Sequence, residues 1–377
     1  MSDDQIYVDC DFPGGNIVLD SIEGDTIFVH QDLRDSDIDW FYWYFRMLGV
    51  AGRTINVRFT GSAAIGTRGP AASLDGGQTW AWLGAGCVEG QAFRCSVPPG
   101  IEEIRFSFGM PYQQKGYERF IRQHNSQAIK PDLLCISPKG RPVEMLHGGR
   151  LDGQADYHVW ISCRHHCCEM MASYSLEGVI EKLLDDTLAG KWLRDHVAFF
   201  ITPFMDKDGV EDGDQGKNRR PHDHNRDYNG VSIYPEVASV RNRLPPWCSD
   251  QLDMALDLHC PYIGGFLNEF IYFVGGPEKR LWDETNRFSR ILSENCRGPI
   301  PFYQENNLPF GIDWNTGSEP GRKSSSEWAR EVFPGIRVAN CIEIPYANAL
   351  GVEVNPQTAR FFGRDLANAI SLYLQAK

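Results

Sequence analysis

Over residues 1 to about 115, apolar and polar positions alternate in short runs: Asn16–Leu19, Thr26–His30, Thr54–Thr60, Trp80–Leu83 and Ile104–Phe108. Gly, Asp and Pro clusters (FPGG, SIEGD, GTRGP, LDGGQ, VPPG) separate these runs. A two-residue period between turn signals is the signature of half-buried strands. The aromatic segment WFYWYF, Trp40 to Phe45, has no polar alternation and reads as a fully buried strand of a small sandwich.

From about Tyr112 the period changes. A helical stretch, YERFIRQH, precedes strands at Leu133–Ser137, Pro142–Leu146 and His158–Ser162. A helix then places Met171, Tyr174, Leu176, Val179, Ile180 and Leu183 on one apolar face, and the strand VAFFITPF follows. Strands alternating with helices predict an α/β sheet covered on both faces. The expected organisation is an all-β sandwich over 1–115 followed by an α/β domain over 116–377. There is no internal repeat or low-complexity segment.

The length of 377 residues suits two domains, and 42% hydrophobic with 23% charged residues is globular. With 37 basic and 50 acidic residues the net charge is −13, which argues against nucleic-acid and anionic-membrane partners. No apolar run approaches the roughly 20 residues that span a bilayer. The start, MSDDQIYVDC, lacks the basic and apolar regions of a secretory signal. The 11 cysteines are odd in number and include no C-x-x-C pair. A cytoplasmic chain with reduced thiols is therefore expected.

Four segments carry candidate chemistry. The first is His165-His166-Cys167-Cys168-Glu169, placed after a strand end and before a helix, where open α/β sheets bind ligands. Either histidine shares a helical face with Glu169, so spacing alone does not choose between them; an isolated H-x-x-E is usually a solvated helix start. The thiols of Cys167 and Cys168 point away from that face and read as packing groups. The second is DMALDLHC, a strand ending in His259, which taken alone is more often structural than a ligand. His166, Glu169 and His259 together form the two-histidine, one-carboxylate set of a catalytic zinc.

The third segment, GKNRRPHDHNRDYNG, concentrates Arg219, Arg220 and Arg226 in an acidic chain. A solvated loop is the plain reading, but Asn225-Arg226 beside a metal suits a clamp on a carboxylate. In the fourth, CIEIPYANALG, Glu343 lies between Ile342 and Ile344 in an apolar strand. A charge there needs an ion-pair partner or a catalytic task.

In this order, His166-Cys-Cys-Glu169, Arg219, Asp223-His-Asn225-Arg226, Asp257-Leu-His259 and Glu343, the chain resembles the zinc carboxypeptidase (funnelin) superfamily, and particularly its cytosolic carboxypeptidase subfamily. FPGGN, WFYWYF, LDGGQTW and FGMPY are similar to that subfamily's β-sandwich, so the resemblance covers nearly the whole chain. It implies a mixed-sheet α/β catalytic domain behind an all-β domain, with one zinc ion held by His166, Glu169 and His259. It further implies that Asp223 fixes the tautomer of His166, and that Asn225 and Arg226 bind a substrate's terminal carboxylate. Arg219 would polarise the scissile carbonyl, with Arg220 an alternative, and Glu343 would be the general acid–base. The expected activity is removal of the C-terminal residue of a peptide or protein by a zinc-activated water. Gly321-Arg322 is similar to a segment that supplies an arginine for acidic side chains, which implies a preference for C-terminal glutamate or aspartate.

The chain departs from the pattern at Cys167-Cys168, where proline and glycine are usual, and at His224, where leucine is usual. A zinc deacylase of N-acyl amino acids and a non-catalytic binding protein on the same fold are the competing readings.

Overall fold

The computed structural model describes residues 5–376; the acidic start at Met1–Asp4 lies outside them. The N-terminal part forms two five-stranded sheets. One runs in the order Tyr7–Asp9, Tyr44–Leu48, Glu103–Ser107, Ala71–Ser73, Ala81–Trp82, and the other Val18–Glu23, Thr26–His30, Thr54–Phe59, Ala92–Ser96, Val88–Glu89. Alternate residues point inward, so Ile55 and Val57 of one sheet and Ile104 and Phe106 of the other are buried. Phe93 meets Phe106 across the gap with ring centroids 5.1 Å apart. The aromatic run corrects one expectation. Its strand starts only at Tyr44, and Phe41 to Trp43 are buried but irregular: Phe41 packs on Tyr346 and the Tyr42 amide donates to Gln215 of the neighbouring part, whereas Trp43 turns into the sandwich against Phe59 and Phe93.

The second part is built on a seven-stranded mixed sheet. Its order is Ile129–Ile136, Pro142–Gly149, Val197–Thr202, Tyr157–Cys163, Met254–His259, Val338–Glu343, Tyr272–Val274. The four strands starting at Val197, Tyr157, Met254 and Val338 are parallel. Successive side chains go to opposite faces. Thus Val159, Ile161, Leu256 and Leu258 join the core under the helices Met170–Leu184 and Pro356–Gln375. Trp160, Phe200 and Ala255 join the core under Pro235–Trp247 and Ser325–Val332. The helix Met170–Leu184 is buried almost all round, including the six residues assigned to its apolar face. This is the mixed α/β architecture the pattern predicts.

Parallel pairing fixes where the carboxyl ends meet. Asp257 pairs with Ser162, and His259 pairs with Glu343. Three strand ends therefore present Arg164 to His166, His259 and Glu343 along one rim, although these segments are far apart in sequence. Among the described residues no helix is long and apolar enough to cross a membrane.

Candidate metal centre

The chain leaves the Tyr157–Cys163 strand through Arg164, which adopts a left-handed φ of 61°. That conformation is costly for a residue with a side chain and needs outside support. The buried guanidinium supplies it, with Nε donating to the Cys167 carbonyl at 2.8 Å and Nη1 to the Tyr112 carbonyl at 2.9 Å and Ser173 Oγ at 3.1 Å. The turn so braced delivers His165, His166 and Glu169, the last just before the helix Met170–Leu184. Arg164 was not singled out from sequence, because nothing local marks a strained turn.

His166 Nδ1 lies 2.8 Å from Glu169 Oε1 and 3.2 Å from His259 Nδ1, and His259 Nδ1 lies 2.7 Å from Glu169 Oε2. All three residues are buried. Two imidazole nitrogens and a carboxylate thus converge on one point. In a tetrahedral zinc site with bonds of about 2.0–2.2 Å, neighbouring donors sit roughly 3.3 Å apart. The donor set and its spacing fit zinc. Burial alone would raise the Glu169 carboxyl, but the His166 and His259 rings drive it well below the usual carboxylate range.

His165 takes another part. Its Nδ1 is 2.8 Å from Asp257 Oδ1 and its Nε2 is 2.8 Å from Tyr228 Oη, so both ring nitrogens are engaged. His165, Asp257 and His259 also lie close enough to hold an ion. Asp257, however, is saturated: it faces His259 Nε2 at 2.7 Å and accepts from the hydroxyls of Ser162 and Ser325, each at 2.8 Å. Burial opposes its charge, yet His165 and His259 hold its carboxyl well below the ordinary value. Asp257 is the hub that orients His259. Its position in D-L-H was visible, but the role needs the register that sets it beside Ser162. Cys167 Sγ contacts the Asp214 carbonyl at 3.0 Å, and Cys168 Sγ accepts from the Trp40 indole at 3.4 Å; neither thiol faces the donors.

Asp223 Oδ1 is 3.8 Å from His166 Nε2. Asn225 Nδ2 is 3.2 Å from His259 Nε2, and its Oδ1 accepts from the Ser325 amide at 2.9 Å. Ser324 and Glu327 form a capping box that starts the helix Ser325–Val332, and this seats Ser326 at the cleft and Ser325 behind it, against Asn225 and Asp257. Arg226 lines the cleft and has no carboxylate partner among the described residues. Glu343 is buried, its Oε2 has no hydrogen-bond partner among the described residues, and burial pushes its carboxyl up to about 7.

Two expected residues do not reach the cleft. Arg219 places Nε 2.8 Å from Asp35, Nη1 2.6 Å from Asp206 and Nη2 2.9 Å from Asp214, so three carboxylates hold it behind the site. Arg322 donates to the Pro221 carbonyl at 2.8 Å and contacts His222, away from the cleft lining. Arg220 pairs with Asp37 at the surface. The cation that does face the donors is Lys217, with Nζ 3.1 Å from His166 Nδ1 and 3.2 Å from Nε2. It lines the cleft beside Glu343 and has no ion-pair partner among the described residues. Sequence reading passed over it in favour of nearby arginines. Of the two histidines left open, His222 pairs with Asp227 at 2.7 Å and His224 stacks on Tyr234 at 3.6 Å.

Residues 117–249 match the zinc carboxypeptidase family, a span that includes His166, Glu169, Asn225 and Arg226 and stops before His259 and Glu343. An uncharacterised protein of Zymomonas mobilis is 24% identical over 264 residues, 67% of each chain. Mouse cytosolic carboxypeptidase 6 is 24% identical over 189 residues, which are 49% of this chain and 34% of that longer one. A metallo-carboxypeptidase from Burkholderia cenocepacia superposes with a TM-score of 0.80 at 20% identity over 98% of both chains. One from Pseudomonas aeruginosa, in complex with (2-guanidinoethylmercapto)succinic acid, gives 0.76 at 20% identity over 98% of this chain and 99% of that one. The fold is that of the metallocarboxypeptidases. Residues 117–249 are thus similar to a zinc carboxypeptidase domain, and cytosolic carboxypeptidases are among the proteins this chain is similar to.

Proposed function

We propose that this protein is a zinc metallocarboxypeptidase that hydrolyses the last peptide bond of a peptide or protein, with His166, Glu169 and His259 as the metal ligands. The observation that carries the reading is the buried convergence of those three donors next to Glu343, whose Oε2 has no hydrogen-bond partner among the described residues. Zinc bound there would act as a Lewis acid and lower the pKa of a water toward about 7. Glu343 takes the proton of the attacking water and delivers it to the leaving amine, general acid–base work of roughly 10²–10⁴-fold. Arg226, with Asn225, binds the terminal carboxylate. Lys217 takes the task expected of Arg219 and polarises the scissile carbonyl, since its Nζ lies beside His166 and has no ion-pair partner among the described residues. Asp223 fixes the tautomer of His166 and Asp257 that of His259.

The cavity for the terminal side chain is about 110 Å³ and includes Ser326, Arg330 and Cys341. Arg330, not Arg322, is therefore the cation that favours C-terminal glutamate or aspartate. We further propose the division into a β part, 1–115, and a catalytic part, 116–377, and a cytoplasmic location.

Metal analysis together with mass spectrometry of a digested peptide mixture tests the reading. The protein should contain one zinc per chain and release single C-terminal residues, faster than it cleaves N-acyl amino acids. Glu343→Gln should keep the zinc and lose turnover. Zinc binding with no release from any peptide would overturn the activity.

A further inference from the structure

Two cavities meet at Glu343. Lys217, Arg226, Trp314 and Glu343 line both, so the two spaces adjoin. The first is the small polar cavity beside Asn225 and Arg226. The second, about 590 Å³, lies on the other side of these shared residues. Its wall is apolar and comes from both parts of the chain: Ile38 and Trp40, then Tyr262 and Phe266 from the segment after the Met254–His259 strand, and Trp314.

These side chains are not hidden. Tyr262 is 50%, Phe266 86% and Trp314 51% exposed. Clustered exposed apolar groups in a charged, soluble surface mark a recognition site. The wall is also held in place. Trp40 packs on Tyr262 with ring centroids 5.2 Å apart, its indole N–H is fixed to Cys168, and Lys217 Nζ sits 5.9 Å from its ring.

Geometry names the occupant. A peptide anchored by its terminal carboxylate at Arg226, with its scissile bond at Glu343, fills the small cavity with its last side chain. Its preceding residues must then leave through the second cavity, which shares the residues flanking that bond. Lys217 and Arg226 also line this space but face the scissile carbonyl and the terminal carboxylate, so acidic side chains upstream meet Asp39 and Asp313, whereas apolar ones meet rings.

We propose that the second cavity binds the residues immediately upstream of the scissile bond and selects aromatic and aliphatic side chains, so that Ile38 and Trp40 of the N-terminal part help set substrate choice. This rests on the carboxypeptidase reading. Burial of one large apolar side chain is worth about a tenfold or greater preference.

The test uses the zinc-loaded full chain and peptides identical except at the penultimate position: phenylalanine, leucine, glycine or glutamate. The expected kcat/KM order is phenylalanine and leucine above glycine, and glycine above glutamate, with at least tenfold between the first and last. Phe266→Ser, at an exposed loop position that does not endanger folding, should reduce the phenylalanine-to-glycine ratio at least threefold. Glu343→Gln should bind the intact peptides in the same order by calorimetry, a readout independent of turnover. Equal kcat/KM across the set, or a ratio unmoved by Phe266→Ser, overturns the inference while the activity stands. No cleavage of any peptide and no binding to Glu343→Gln overturns both.

Discussion

Lys217 and Arg219 stand two positions apart, yet one faces the donors and the other is clasped by Asp35, Asp206 and Asp214. A sequence shows that positive charge is near a site but not which way it points. Arginine was the chemically better oxyanion partner, and the acids that divert it come from as far as Asp35. The two substitutions should therefore separate cleanly. Lys217→Met should lower kcat by roughly 10²–10³ at unchanged Tm, as loss of one oxyanion donor does. Arg219→Met leaves buried carboxylates unpaired and should cost several kcal/mol of stability, read as a lowered Tm. Behind Arg219, the Glu236 carboxyl is buried, its Oε2 has no hydrogen-bond partner among the described residues, and burial pushes its pKa up to about 8. The folded state then holds a proton that the unfolded chain releases near 4.5, its ordinary value. Stability from this group is present at low pH and falls as pH rises from about 4.5 to 8, at up to about 1.4 kcal/mol per pH unit. Glu236→Gln should flatten that fall, so denaturant midpoints of variant and parent should diverge in the variant's favour across this window.

At the scale of elements, strands and helices with clear periodicity were legible: the Tyr157–Cys163 and Met254–His259 strands and the helix Met170–Leu184 lie where the pattern puts them. The aromatic run at Trp40 was legible as buried but not as irregular, because uniform apolarity has no period to distinguish a strand from a packed loop. The order H-x-x-E, D-L-H and the late glutamate pointed to residues the fold brings together, since these follow or end strands whose register is fixed by core packing, whereas Asn225 and Arg226 reach the cleft from a loop turn. The crossing of helices was not legible. Gly178 and Gly363 let the helices Met170–Leu184 and Pro356–Gln375 touch backbone to backbone: a Cβ at Gly363 would lie 1.9 Å from the Ser175 carbonyl oxygen, and one at Gly178 2.0 Å from that of Arg360. Alanine normally favours a helix over glycine by about 1 kcal/mol. Here the close approach should reverse the sign, and Gly363→Ala should lower stability by about 2–4 kcal/mol, measured by denaturant unfolding. A neutral or stabilised variant would show that the pair can separate without loss.

For the whole molecule the question is whether two architectures make two folding units. Composition and periodicity divide the chain near residue 115, and side chains of both parts pack against each other across that division. Phe41 and Phe108 of the β part enclose Tyr346, just beyond Glu343, at centroid distances of 5.7 and 4.6 Å. Asn16 donates to the Gly213 carbonyl at 2.7 Å, Gln215 accepts from the Tyr42 amide at 2.8 Å, and Asp35 holds Arg219. These last ties grip the loop that carries Lys217, so the β part helps position the site. Each large apolar side chain buried at this seam contributes roughly 1.5–3 kcal/mol, and net domain stability is only about 5–15 kcal/mol. Losing the seam therefore consumes most of what keeps the second part folded. The full chain should unfold in one calorimetric transition. A chain beginning at residue 116 should show no cooperative transition and no tight zinc binding. If that shortened chain melts sharply and retains stoichiometric zinc, the β part is an appendage and the loop at Lys217 holds its shape unaided.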